Sequence, residues 1–413
     1  MTSEWLQDSA LAVLRAVMPI ATLHLPQPIR RRHAIAPRDY GRRDRAIELY
    51  ESGRFTDAVC EAFAYLLPGV EIPDLKDAPF VFVQGSARVR AHIEGTEMVL
   101  RSVLAALGPD SQATAALRFF LTRLSSTGQM FQPRLRGDEI ALEFRDQLAL
   151  LHPGKLIEVL QRMPMEADSN DTWMVGQFGV ETPDREPIAP LDADELARAL
   201  EIWNAHWSAV DELMTESRRR RSVRFLDAVG SFAAYHMRYT LPLFGAVRAR
   251  LNEGADDFTD RDENPNKRDV ALAKTLKDMR RFTSDELQQC LGHASYAINP
   301  LQEGTPSLLT STLGSGNRMQ TTGELRATGR SMEAALELIS DYLDLLAHYT
   351  WGADVETALR AGLTLVSGRP WREAADVLWN HANATARVFG SHGEHDRDDE
   401  VGEDDDGASR YDA

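Results

Sequence analysis

Between residues 191 and 390 the apolar positions recur at helical spacing. Leu196, Leu200, Trp203, Trp207, Val210 and Met214 step by 4, 3, 4, 3 and 4, a seam that a helix gathers onto one face. Met332, Leu336, Ile339, Leu343 and Leu346 repeat the same alternation. Asp192 followed by Glu195 predicts a capping box at the start of the first helix. That helix is expected to run on through Val223, Leu226, Val229, Phe232 and His236 to Tyr239, stopping before Pro242. Residues 252–269 are polar and read as a loop, with a short helix near Ser284–Leu291 after them. An all-α bundle burying these seams is the simplest architecture for 191–390.

The first half reads differently. Residues 1–42 hold an amphipathic segment (Trp5, Leu6, Leu11, Leu14, Val17), broken by Pro19, Pro26 and Pro28, and an arm containing Arg30, Arg31, Arg32, Arg38 and Arg42. Residues 43–76 place Ala46, Tyr50, Gly53, Phe55, Ala58, Ala62, Tyr65 and Pro68 in an order that resembles a tetratricopeptide helix pair. One such pair cannot bury its own face, so it is expected to dock on a neighbour. A second Ser-Gly-Arg turn, Ser367-Gly368-Arg369, precedes Trp371, Ala374 and Ala375; repetition and chance explain it equally well. From 77 to 180 the period shortens. Phe80–Val83 and Val89–Ile93 read as strands, Met98–Leu107 as a third strand candidate whose Leu and Ala content would also suit a helix, Gln112–Leu124 as a helix, and Gln129–Leu135 with Glu139–Phe144 as a hairpin about Arg136-Gly137-Asp138. Pro153 opens a further helix, and Asp171–Phe178 a short one. Residues 181–190, with three prolines, read as a linker.

Helix, three strands, helix, two strands, helix is the order of elements in type III secretion chaperones and their YbjN-like relatives. The stretch 77–180 resembles them through Val89-Arg90-Ala91-His92-Ile93, Leu117-Arg118-Phe119-Phe120-Leu121 and Gly137-Asp138-Glu139-Ile140-Ala141-Leu142. Leu156–Leu160, Asn170-Asp171-Thr172-Trp173 and Phe178-Gly179 complete the likeness, which covers about a quarter of the chain. It implies a small, non-catalytic α+β module that dimerises or binds other proteins. The expected fold class is therefore α+β: a chaperone-like α-β-β-β-α-β-β-α domain followed by the all-α bundle. The much longer C-terminal half departs from the family pattern.

Composition narrows the function. The net charge of −17 is a poor start for gripping nucleic acid. The charge is uneven: residues 391–413 carry ten acids against two arginines and almost no apolar side chain, the signature of a disordered acidic tail. Cys60 and Cys290 are too few for a disulfide framework and fit a reducing cytoplasm. No apolar run is long enough to span a membrane, and no secretory leader pattern opens the sequence.

Candidate chemistry is sparse. No nucleophile elbow, Walker loop, His-Glu-x-x-His or metal-spaced cysteine pair occurs. Leu313-Gly314-Ser315-Gly316-Asn317-Arg318 has the residues of a phosphate cradle but lacks a preceding strand, so a flexible loop is the stronger reading. Cys60 reads as a small buried hydrophobe. His206, Trp207, His236 and Tyr239 are candidates to line a bundle pocket, weighed against ordinary core histidines. Asp341, Asp344 and His348 share a helix face; a solvated face is favoured over a metal site. Two basic clusters, Arg218–Arg221 with Arg224 and the arm from Arg30 to Arg45, have the residues to grip phosphates; internal neutralisation, by Glu212 and Glu216 beside the first or by the acidic tail, is the favoured reading.

The sequence therefore predicts a non-catalytic protein-interaction module with no catalytic, cofactor-binding or metal-ligating residue assigned. Its expected partner is another polypeptide, a second copy included, met through Trp203 and Trp207; in an intramolecular bundle these two would instead be core. The competing expectation is an enzyme or ligand sensor with its site in the C-terminal bundle. A deep bundle pocket with converging polar groups discriminates in favour of the second.

Overall fold

A computed structural model of the chain describes residues 20–31, 38–124, 130–169, 173–314 and 316–390. The N-terminal amphipathic segment and the acidic tail lie outside the described residues. The fold is α+β, with one six-stranded antiparallel sheet and predominantly helix elsewhere. No helix among the described residues is long and apolar enough to cross a membrane.

The first hydrophobic core forms around the sheet. Helices α1 (Tyr40–Glu51) and α2 (Phe55–Leu66) make the expected pair, turning at Gly53 with φ +79°, a left-handed conformation that glycine adopts without strain. Helix α2 buries Val59, Ala62, Phe63 and Leu66 in this core, which supplies the neighbour that a lone pair requires. Strands β1 (Phe80–Gly85), β2 (Ala87–Glu94) and β3 (Glu97–Ala106) follow as a meander, then α3 (Ala113–Leu124), β4 (Gln132–Arg136), β5 (Glu139–Gln147), α4 (Pro153–Ser169) and α5 (Trp173–Phe178). Phe120 on α3 and Leu160 on α4 are each 1% exposed within this core. The predicted hairpin closes at Gly137, where Arg136 pairs with Glu139.

The second core is helical. It contains α6 (Ala193–Arg220), α7 (Val223–Thr240), α8 (Gly245–Thr259), α9 (Pro265–Met279), α10 (Ser284–Gln288), α11 (Pro306–Leu313), α12 (Asn317–Ala327), α13 (Ser331–His348), α14 (Ala353–Val366) and α15 (Trp371–Gly390). The capping box is present: Glu195 N donates to Asp192 Oδ1 at 2.8 Å, and the Glu195 carboxylate accepts from Asp192 N. Both heptad seams face inward; all five residues of the α13 seam are buried.

Three expectations are corrected. The continuous helix from 193 to 239 breaks at Arg221, whose φ of 53° ends α6, and Ser222 caps α7 through its hydroxyl. The polar stretch 252–269 is mostly helix, the end of α8 and the start of α9 around a turn at 260–264, because Ala255, Phe258 and Arg268 are buried against the helical core. The proline-containing segment 181–190 is no free linker: Glu186 N donates to Ser86 O at 2.8 Å, and Arg88 and Arg90 pair with Glu186 and Asp184.

The two cores are joined by strand pairing that the sequence did not signal. Strands β6 (Ala189–Pro190) and β7 (Gly292–His293) pair, and β8 (Ser295–Tyr296) adds to the sheet beside β1, giving the order β4-β5-β3-β2-β1-β8. The buried Gln84 amide extends this ladder: Nε2 donates to Ile298 O at 2.9 Å and Oε1 accepts from Ile298 N at 3.0 Å. Two further short strands, β9 (Gln302–Glu303) and β10 (Tyr349–Thr350), pair in parallel. Residues 20–31 form an extended strap that buries Leu23, Leu25 and Ile29 in the helical core.

Candidate functional site

The strap ends where the two cores meet, and its last residues build a site. Ile29 N and Arg30 N both donate to Thr240 O, at 2.8 and 3.1 Å, which fixes the strap against the end of α7. Arg30 Nη1 then donates to Arg238 O at 2.7 Å. Arg30 thus stands beside Arg238, in the last turn of α7, and Arg248 on α8 lines the same cleft.

That cleft holds about 650 Å³. The helical body contributes Arg238, Arg248, Asn252 and His348; the connecting segment contributes His293 and Tyr296. Arg238 donates from Nε and Nη2 to Asn252 Oδ1, at 3.2 and 3.0 Å, and from Nη1 to His348 Nε2 at 3.0 Å. A guanidinium only donates, so His348 Nε2 is the acceptor; its proton sits on Nδ1 and is shared with Asp344 Oδ1 at 2.6 Å. Arg248 Nη1 lies 3.1 Å from Asp168 Oδ2 and 3.4 Å from the Tyr296 hydroxyl.

The electrostatics are lopsided. Among the described residues neither Arg30 nor Arg238 pairs with a carboxylate. Burial lowers the pKa of both, and repulsion from neighbouring arginines, Arg248 in each case, adds to it. Both residues are half-buried; Asp256 and Asp344 offset part of the charge on Arg238, and an oxyanion in the cleft adds a directly bonded counter-charge. Asp168 is engaged elsewhere, its Oδ1 accepting from Ser86 N at 2.7 Å and its Oδ2 facing Arg248 at 3.1 Å.

The residues singled out in the sequence scatter around this cleft. Trp203 and Trp207 are 3% and 1% exposed and pack edge to face in the helical core, so the geometry supports their core role. Asp344 and His348 pair with each other, whereas Asp341 turns into a separate cleft and meets Arg318 at 3.1 Å. No group of three His, Cys, Asp or Glu among the described residues is placed to hold a metal. Arginines around the α6–α7 turn pair within the helical body: Arg218 with Asp269, Arg219 with Glu216, Arg220 with Glu216 and Glu333, and Arg224 on α7 with Glu337. Gly314 and Gly316 join two helices, with Ser315 outside the described residues. Cys60 is half-buried and not fully buried, and desolvation raises its thiol pKa.

Sequence reasoning missed Arg238, Arg248, Tyr296 and His293. They lie up to 58 residues apart, and only tertiary packing brings them to Arg30. The one available signal was an arginine in the last turn of a predicted helix, which is also where any helix favours a cation. No protein-family model matches this chain, and no curated protein matches it.

Proposed function

We propose that this chain is a ligand-binding protein that takes a small oxyanion, carboxylate or phosphate, into the cleft between its sheet-bearing and helical bodies. The carrying observation is the convergence of Arg30, Arg238 and Arg248, two of them without a carboxylate partner among the described residues. The arginine fork matches a planar or tetrahedral oxyanion, and the cleft volume suits a metabolite-sized ligand. Inorganic phosphate and citrate are the probes. A ligand present at about 100 times its Kd stabilises by about 2.7 kcal/mol, which thermal melts resolve. The double variant Arg30→Gln, Arg238→Gln is expected to lose that stabilisation; wild-type melts indifferent to both anions sink the proposal.

The protein-interaction reading stays second, supported by the order α2-β1-β2-β3-α3-β4-β5-α4, which is that of the secretion chaperones and YbjN-like proteins the sequence resembles. It is also supported by β4, whose outer edge has no partner strand among the described residues and whose Leu135 is 50% exposed. An open edge is a template for a strand of a second chain. Under this reading Arg134→Pro, which removes a backbone donor from β4, lowers the mass measured by light scattering.

A further inference from the structure

The cleft that Asp341 enters holds about 470 Å³ and lies between α7, α12 and α13. Its charged lining is balanced: Arg224, Arg261 and Arg318 stand against Asp227, Glu337 and Asp341. Two of the acids are already satisfied. Glu337 accepts from Arg224 Nη2 at 2.7 Å and from the Thr322 hydroxyl at 2.8 Å, and Asp227 pairs with Arg268.

The floor is different. Asp341 is 4% exposed; it forms an ion pair with Arg318 at 3.1 Å but accepts no hydrogen bond among the described residues. Ser231 on α7 is 8% exposed, and its hydroxyl has no hydrogen-bond partner among the described residues, whereas Ser340 in the same cleft donates to Ala228 O at 3.1 Å. Neither group is sealed in. Both keep accessible surface, and this cleft is the space they line. Desolvation outweighs the attraction of Arg318 and raises the Asp341 carboxyl to a pKa of about 7. One arginine therefore undercompensates the burial of this carboxylate, and a positively charged donor completes it.

The rim carries the opposite sign. Arg261, in the turn between α8 and α9, is exposed and pairs with no carboxylate among the described residues. Helix α12 also starts here: Asn317 and Arg318 line the cleft, and Gly316 at the N-cap has no side chain to accept from the first-turn N–H groups. A helix N-terminus favours negative charge, and Arg318 strengthens that preference.

We propose that this cleft binds a small zwitterion, its ammonium at Asp341 and Ser231, its carboxylate at Arg261 and the α12 N-terminus, and a short chain between them. A plain anion would meet the Asp341 carboxylate and a plain cation the arginines, so each alone forfeits part of the match. The chain is needed because one pole of the site is buried and the other is at the rim. The site shares no residue with the oxyanion cleft and does not rest on it.

4-Aminobutyrate is the probe, with butyrate lacking the ammonium and butylamine lacking the carboxylate. In calorimetric titration of the full-length protein, 4-aminobutyrate is expected to bind at least about tenfold more tightly than either control, the effect of one hydrogen-bonded charge. Asp341→Asn keeps the side-chain shape, removes its charge and is expected to erase the advantage over butyrate. Arg261→Gln, at an exposed position, is expected to narrow the advantage over butylamine. A carboxylate held in the oxyanion cleft behaves otherwise: it is lost in the Arg30→Gln, Arg238→Gln double variant and kept in Asp341→Asn. Wild-type protein that binds none of the three at millimolar concentration, or binds 4-aminobutyrate no better than the controls, overturns the proposal. So does a preference unchanged in Asp341→Asn.

Discussion

Burial moves two side chains of the helical body in opposite directions along the pH axis. Asp341 is 4% exposed, and desolvation pushes its pKa up to about 7, outweighing the attraction of Arg318; Asp344 and Glu337 add to the rise. The folded protein therefore holds this proton more tightly than the unfolded chain, whose carboxyl titrates near 3.8. The contribution is complete below about pH 4 and is lost as pH rises to 7, by up to about 1.4 kcal/mol per pH unit. Asp341→Asn is expected to gain stability relative to wild type across that window in urea melts; parallel curves for the two proteins contradict the assignment. His236 behaves inversely. Its lowered pKa gives stability that is present above 6.5 and lost as pH falls toward 3. Gly85 makes a steric counterpart to these electrostatic cases. Its φ is +63°, and a Cβ there would stand 1.9 Å from Asp168 Oδ1. Gly85→Ala is expected to cost roughly 2–4 kcal/mol, read from chemical denaturation.

At the scale of elements, what local pattern determines was legible. Strands β1 to β5 and helices α3 and α4 follow from periodicity, prolines and the glycine of one hairpin. Phe120→Ala and Leu160→Ala are each expected to cost roughly 2–5 kcal/mol in equilibrium unfolding, since both side chains are 1% exposed; values near zero would remove them from the core. The end of α8 and the start of α9 were hidden because tertiary burial of a few residues, and not periodicity, makes them helical. Strand β8 was hidden because two residues carry no period at all. The oxyanion cleft was the least legible part. Arg238 and Arg248 occur singly, each in a local context that explains a cation without any ligand, and Arg30 belongs to an arginine-rich arm, whereas the more conspicuous Arg218, Arg219 and Arg220 are paired with Asp269, Glu216 and Glu333. His206 and His236 were legible as candidates, and they meet each other at 2.9 Å in the helical core, each 3% exposed.

For the whole molecule, the joint between bodies rests on few groups. Asp168, 2% exposed on α4, faces Arg248 on α8 and accepts from the Ser86 backbone. Removing one partner of a buried pair typically costs about 3–5 kcal/mol. Asp168→Ala is expected to fall in that range and to split the melt into two transitions, seen by calorimetry; a single transition at the wild-type temperature rejects the joint. The strap sets a different constraint, one of time. Leu25 bonds to Ser367, 342 positions further along the chain. A ribosome adding 5–20 residues per second takes roughly 20 to 70 seconds to cover that interval. Leu23, Leu25 and Ile29 are synthesised first among the helical core residues and wait longest for their partners, so the nascent chain carries an unclosed seam over α6 and α7 until the α14–α15 turn emerges. Closing it is a late, long-range event of the kind that slows folding.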